Sequence, residues 1–261
     1  MMNIKMKIMK KRVVIKIGTS TLTSGTKRIS FGKIEDIASQ IEKIKDQYDV
    51  VIVSSGAIAA AKQVVEISGY NKKVDSKQAM AAIGQPKLIR IYDDIFSRFG
   101  LNVSQCLMTY RDFENETSKN NTRNTINKLL EYGYIPIVNE NDTVAVEEII
   151  LGDNDKLSAL VALTIEADLL IIASDIDGLF DSNPKINKNA KLIEKVNNID
   201  EVFHFADCNK SDQGTGGMIS KFQAAKICKD GGVEMWIVNG GYDNFFADAL
   251  ANKIVFTKFI V

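Results

Sequence analysis

Short continuous apolar runs recur along the chain, separated by stretches whose apolar residues follow helical spacing. The runs at 13–17, 50–53, 103–108, 135–138, 169–173 and 234–238 read as strands. The run at 50–53, apolar at every position, suits a buried strand. A shorter strand-like piece follows at 192–196, and 254–261 reads as a terminal strand at a sheet edge. Between the first two strands, Ile34, Ile37, Ala38, Ile41 and Ile44 mark a helix within 31–47. A long helix is predicted over 76–99, with a break or kink at Pro86, which removes a backbone donor. Its stripe of Met80, Ile83, Leu88, Ile91 and Ile95 is read as core or subunit interface. The polar, Asn-rich segment 109–123 is expected to be a surface loop leading into a helix at 124–132. A buried stripe of Leu157, Leu160, Val161 and Leu163 forms another helix, capped by Asp153 or Asn154. A last helix is expected at 219–229. Strand and helix alternate throughout, which calls for an α/β, three-layer αβα sandwich with a mostly parallel open sheet. No linker or repeat divides it, so 1–261 is read as a single domain.

Polar residues gather where the strands end, the side on which open α/β sheets bind ligands. Lys16 sits within the last residues of the first strand, which Gly18, Thr19 and Ser20 follow. The second strand runs into Ser54-Ser55-Gly56, and the fourth into Asn139-Glu140-Asn141-Asp142. A matching polar knot, Gly152-Asp153-Asn154-Asp155, opens the helix that follows. Ser174, Asp175 and Asp177 follow the fifth strand, where an acid faces a nucleotide or metal or simply starts a turn. Gly214, Thr215, Gly216, Gly217, Met218, Ile219 and Ser220 lead into Lys221, an arrangement that offers backbone N–H groups to phosphate. Two stock phosphate motifs fail: Ile219 stands where a dinucleotide fingerprint needs glycine, and no P-loop Gly-Lys-Ser/Thr triplet occurs.

Composition narrows the chemistry. The 261 residues carry 33 basic and 33 acidic side chains, so no global field draws nucleic acid or a membrane surface. Cys106, Cys208 and Cys228 have neither metal-ligand nor redox spacing, which fits reduced thiols in a cytoplasmic protein. The basic amino terminus lacks the apolar core of a signal peptide, and Glu166 and Asp168 interrupt the longest apolar stretch. The lone histidine, His204, lies in an apolar run and is expected to be packed, so neither a Ser–His nor a Cys–His pair can be assembled. Two lysines, glycine-rich turns and an aspartate remain, a parts list for direct phosphoryl transfer.

Six segments in this order, KIGTS at 16–20, SSGAIAA at 54–60, NENDTV at 139–144, GDNDKLSA at 152–159, SDIDGLF at 174–180 and GTGGMISK at 214–221, resemble the glutamate 5-kinases of the amino acid kinase superfamily. The resemblance covers nearly the whole chain. It implies the amino acid kinase fold and ATP-dependent phosphorylation of the L-glutamate side-chain carboxylate, the first step towards proline. It further implies that Lys16 and Lys221 flank the transferred phosphoryl while Asp155 organises them, and that Ser55, Asp142 and Asn154 bind glutamate. Lys16, Gly18, Thr19, Ser174, Asp175 and the segment from Thr215 to Lys221 would take ATP with Mg2+, with no dedicated metal ligand among the residues carried over. Feedback inhibition by proline and a homo-oligomer, dimer or tetramer, through the 76–99 helix are expected from the same likeness. Ala61 stands where the family usually has glycine, Ser174 and Ser220 replace threonines, and Phe180 replaces a tyrosine. Many members also carry a carboxyl-terminal PUA domain, which is expected to be missing here. A kinase for another small acid and a non-catalytic amino-acid sensor are the competing readings. The sensor predicts loss of a lysine or of the organising aspartate, yet Lys16, Asp155 and Lys221 are all present.

Overall fold

The computed structural model describes residues 10–65, 73–145, 154–184, 186–205 and 217–261. Its apolar runs pair into one eight-stranded sheet: β1 (Lys11–Ile17), β2 (Tyr48–Ser54), β3 (Asn102–Met108), β4 (Tyr134–Glu140), β5 (Leu169–Ser174), β6 (Lys195–Val196), β7 (Glu234–Asn239) and β8 (Thr257–Phe259). The order across the sheet is β3-β4-β2-β1-β5-β7-β8-β6. From β3 through β7 every pairing is parallel, and β8 runs antiparallel to β7. The terminal strand is therefore not at an edge. The two-residue β6, within the strand-like piece read at 192–196, pairs outside it.

Strand alternation sorts the core into two layers. Val13, Ile15 and Ile17 of β1 pack with Ile34, Ile37 and Ile41 of one helix, α2 (Phe31–Ile44), and with Leu88 and Tyr92 of a second. Val14 faces the opposite layer, with Leu157 and Val161 on one helix and Phe222 and Ala225 on another. Lys16, two residues after Val14, shares that second face. The apolar stripe of the 76–99 stretch divides: Met80, Leu88 and Ile95 are buried, while Ile83 and Ile91 are only half-buried.

Two sequence expectations for helices are corrected. The long helix is unbroken from Val74 to Phe96 and continues through Pro86. It is held there by the close approach of helix α3 (Ala57–Lys62): a β-carbon on Gly84 would stand 1.8 Å from the Ala57 carbonyl oxygen. The segment expected to be a loop is helical instead, first at Arg111–Glu114 and then as one helix over Glu116–Glu131. The Asn115 side chain accepts from the N–H groups of Thr117 and Ser118, capping that helix, and Ile126 is its one fully buried residue. A helix with so narrow an apolar face leaves little periodicity to read. Among the described residues no helix is long and apolar enough to cross a membrane.

Candidate active site

The site lies where parallel strands end in register. Ile17 of β1 pairs with Ser54 of β2 and with Ala173 of β5, and Val53 of β2 pairs with Val138 of β4. Their following residues, Gly18, Ser55, Ser174 and Asn139, therefore share one rim.

Lys16 reaches towards the helix Asp155–Thr164, whose first residue is the key to the site. Asp155 is fully buried, and its Oδ1 lies 2.6 Å from Lys16 Nζ. Its Oδ2 meets Lys221 Nζ at 3.1 Å and accepts from Ser220 Oγ at 2.9 Å. Lys221 and Ser220 come from the first turns of the helix Gly217–Asp230, packed beside Asp155–Thr164. The two lysine side chains are 7% and 12% exposed, so the carboxylate bridges two ammonium groups that are themselves largely withdrawn from water. The pair carries one net positive charge in a weakly screened setting, which demands an anion in front of it.

Gly18 sits over this group, close enough that a β-carbon there would stand 3.5 Å from Lys16 Nζ and 4.0 Å from the Ala173 carbonyl. Thr19 is exposed and begins the short helix Thr19–Thr23. Ser174 is buried and Asp175 exposed at the end of β5, and the Ser174 hydroxyl donates to Asp175. Beyond β7, Asn239 donates to Asp177 and accepts from Gly241 N–H, which ties the two loops together. Met218 is buried in the second core layer, so only its backbone is available to a ligand, whereas Ile219 is exposed. Thr215 and Gly216, with Gly214, Gly152, Asp153 and Cys208, lie outside the described residues.

A second polar group continues from the same rim. Asn154 precedes the helix as predicted, but its side chain caps nothing. It donates instead to Ser55 Oγ at 3.2 Å and to Asn139 Oδ1 at 2.9 Å. Asn139 donates in turn to Gln85 Oε1 at 2.9 Å. Asn139 and Gln85 were absent from the sequence-predicted site. A signal for Gln85 existed: it interrupts the stripe Ala81, Leu88, Tyr92 at helical spacing and is nonetheless buried. Gly56, at φ +108°, turns the chain from β2 into α3, a conformation that favours glycine and that brings Ser55 to the rim.

Asp142 lines a small pocket with Gln85, Glu140, Asn141 and Thr143. Burial pushes its carboxyl up to about 6. The two described cysteines are buried and unreactive in character, burial raising Cys106 to about 11 and Cys228 to about 12. His204 is exposed, stacked at a tilt on Phe205, which corrects the expectation that it packs in the core.

Comparison with known proteins identifies the family. The model of the amino acid kinase family matches residues 11–239. A glutamate 5-kinase of Caldanaerobacter subterraneus is 45% identical over 251 residues, 95% of this chain and 68% of the relative. One from Clostridium acetobutylicum is 48% identical over 231 residues, 88% of this chain and 86% of the relative. A third, from Clostridium tetani, is 42% identical and covers 95% of this chain and 94% of its own length. Among solved structures, UMP kinase from Ureaplasma parvum aligns over 97% of this chain and 100% of its own, with a TM-score of 0.65 at 22% identity. Carbamate kinase from Giardia lamblia bound to AMP-PNP aligns over 96% of this chain and 98% of its own, with a TM-score of 0.68 at 16% identity. These two likenesses bear on the fold alone.

Proposed function

The chain belongs to the amino acid kinase family and, within it, to the glutamate 5-kinases, and from that premise we propose that it transfers the γ-phosphoryl group of ATP directly to the side-chain carboxylate of L-glutamate. The observation that carries this reading is the single buried carboxylate of Asp155 holding the ammonium groups of Lys16 and Lys221.

In the proposed reaction a glutamate carboxylate oxygen forms a bond to Pγ as the bond from Pγ to the β–γ bridging oxygen breaks, giving glutamyl 5-phosphate and ADP. No proton moves, because a carboxylate with an ordinary value near 4.3 is already ionised at neutral pH. The chain's task is therefore positioning and charge neutralisation. Lys16 and Lys221 supply the positive charge along the path of the phosphoryl, and Asp155 fixes their separation. Gly18 and Thr19, Ser174 and Asp175, and the segment from Thr215 to Lys221 are the proposed contacts to ATP. Ser55, Asp142 and Asn154 are the proposed contacts to glutamate, Asp142 opposing the substrate ammonium.

Both oxygens of Asp155 are engaged by cations, and no group of three or more His, Cys, Asp or Glu side chains suited to a metal gathers among the described residues. Magnesium enters this proposal as part of the nucleotide substrate, carried by the ATP phosphates. We further propose that the chain acts in the cytoplasm as a single amino acid kinase domain. Proline would compete at the glutamate pocket. Copies would meet through the outward side of Val74–Phe96, where Ala79, Ala82 and Pro86 form an exposed apolar row.

The deciding assay is ATP consumption as a function of added L-glutamate, with the acyl phosphate trapped by hydroxylamine. Glutamate-dependent hydroxamate is the expected result. Turnover with aspartate or acetylglutamate in place of glutamate would overturn the substrate assignment.

A further inference from the structure

We propose that Gln85 is a positioning residue that, through Asn139, fixes the amide of Asn154 so that it turns only an acceptor oxygen towards the substrate and thereby selects for an ammonium group. The proposal rests on the glutamate kinase reading above and adds to it a residue and a direction of recognition.

The direction follows from one backbone group. Glu140 N–H can only donate, and it lies 2.9 Å from the Asn139 side chain, so the atom facing it is Oδ1. The other end of that amide is then Nδ2, and its partner, 2.9 Å away, must be an acceptor: Gln85 Oε1. Asn139 Oδ1 accepts a second hydrogen bond, which comes from Asn154 at 2.9 Å and so identifies the donating atom as Nδ2. The second hydrogen of that nitrogen goes to Ser55 Oγ. Both donors of Asn154 are consumed. Its Oδ1 is buried and has no partner among the described residues, and the residue itself is wholly inaccessible.

A buried carbonyl without a donor costs on the order of 1–3 kcal/mol. A ligand ammonium would supply that donor, whereas a carboxylate would be repelled. Asn154 thus cannot serve the carboxylates of the substrate, and it joins Asp142 as a second group for its amine.

Gln85 holds the far end of this chain of amides. It stands on the helix Val74–Phe96, is 8% exposed, and gives Asn139 Nδ2 its single partner among the described residues. Asn139 is 1% exposed, so without Gln85 it would bury an unsatisfied NH2. Its side chain would then rotate to find water or another acceptor, and the Oδ1 that holds Asn154 would move with it.

The test compares L-glutamate with glutarate, which lacks the amino group, in the parent, in Gln85→Met and in Gln85→Glu. Met fills similar volume without a strong acceptor, and Glu keeps an oxygen towards Asn139. In Gln85→Met, KM for glutamate is expected to rise at least tenfold, with kcat within about threefold and KM for ATP unchanged. Kinetics with glutarate should be little altered, so the preference for glutamate falls by the same tenfold. Gln85→Glu should stay within about threefold of the parent. An unchanged KM in Gln85→Met, equal losses for glutamate and glutarate, or a Glu variant as impaired as the Met variant would each overturn the role. Neutron diffraction from the deuterated parent decides the orientation without any variant or turnover. Deuterons on Asn154 pointing to Asn139 and Ser55 are expected, and the reversed amide would overturn the proposal. A parent that leaves glutamate untouched would sink the kinase reading instead, while the neutron map still decides the amide.

Discussion

Lys16 Nζ stands 2.6 Å from Asp155 Oδ1, a contact between the penultimate residue of a strand and the first residue of a helix 139 positions later. Strand alternation puts Lys16 on the same face as that helix, and the helix begins at the rim where the strand ends. The ion pair is thus a consequence of register. It gives the buried aspartate a partner even when Lys221, on a different helix, is removed.

That redundancy separates two substitutions. In Lys221→Ala, Asp155 retains Lys16 and the Ser220 hydroxyl, so the fold keeps its charge compensation. Turnover is expected to fall by roughly 10²–10³-fold, the size seen when one preorganised charge or donor to a transition state is lost. The melting temperature should stay within a few degrees. Steady-state kinetics beside a thermal melt reads both, and parental activity in this variant would remove Lys221 from the mechanism.

Asp155→Asn should behave differently. It leaves two ammonium groups, on side chains 7% and 12% exposed, facing each other without a carboxylate. Stripping one partner from a buried charge network costs about 3–5 kcal/mol. The variant is expected to lose both activity and stability, and chemical denaturation should show a lower midpoint at an unchanged slope. High salt should restore little of it, because charges withdrawn from water are poorly screened.

Asp142 gives a pH dependence whose sign can be worked out. Its carboxyl is raised by burial from 3.8 to about 6, so the folded protein binds this proton more tightly than the unfolded chain. The contribution favours the folded state at low pH and is lost as pH rises from about 4 through 6. Asp142→Asn lacks that loss. The variant should therefore gain in melting temperature relative to the parent between pH 4 and pH 6, and hold the gain above it. Function runs the other way: only the ionised carboxylate opposes an ammonium. KM for glutamate in the parent should rise roughly tenfold from pH 7 to pH 5, while the substrate's own side chain stays mostly ionised. A KM that is flat across this range would show that Asp142 does not meet the amine.

How much of this was legible beforehand depends on how strongly each part stamps a period on the chain. The central strands show as unbroken apolar runs because both faces are buried, and the three charged residues stand at strand and helix ends where polar groups are conspicuous. The helix Glu116–Glu131 does not show, since its buried face amounts to Ile126 and its start is set by a side-chain cap at Asn115. The strand-like piece at 192–196 proves to be the two-residue strand Lys195–Val196, too short to reveal its pairing, and so the position of Thr257–Phe259 inside the sheet was missed. Gln85 was overlooked for another reason: beside Pro86 it reads as a helix break. Only the packing of Gly84 against α3 shows why the helix survives there.

That packing makes the last prediction. A β-carbon at position 84 would lie 1.8 Å from the Ala57 carbonyl oxygen and 2.7 Å from the Ala61 amide nitrogen, both backbone atoms that cannot rotate aside. Gly84→Ala therefore forces α3 and the helix Val74–Phe96 apart. Overpacking a tight contact typically costs about 1–3 kcal/mol, and a backbone collision belongs at or above the upper end. The same displacement carries Gln85 away from Asn139 and shifts Ser55, which precedes α3, so KM for glutamate should rise along with the loss of stability. Gly32→Ala supplies the control. It too lies in a helix, but the nearest atom to its β-carbon is Ser30 Oγ at 4.0 Å, so helix propensity alone predicts no loss. A thermal melt of both variants that showed equal stability would mean that α3 and the long helix do not touch at Gly84.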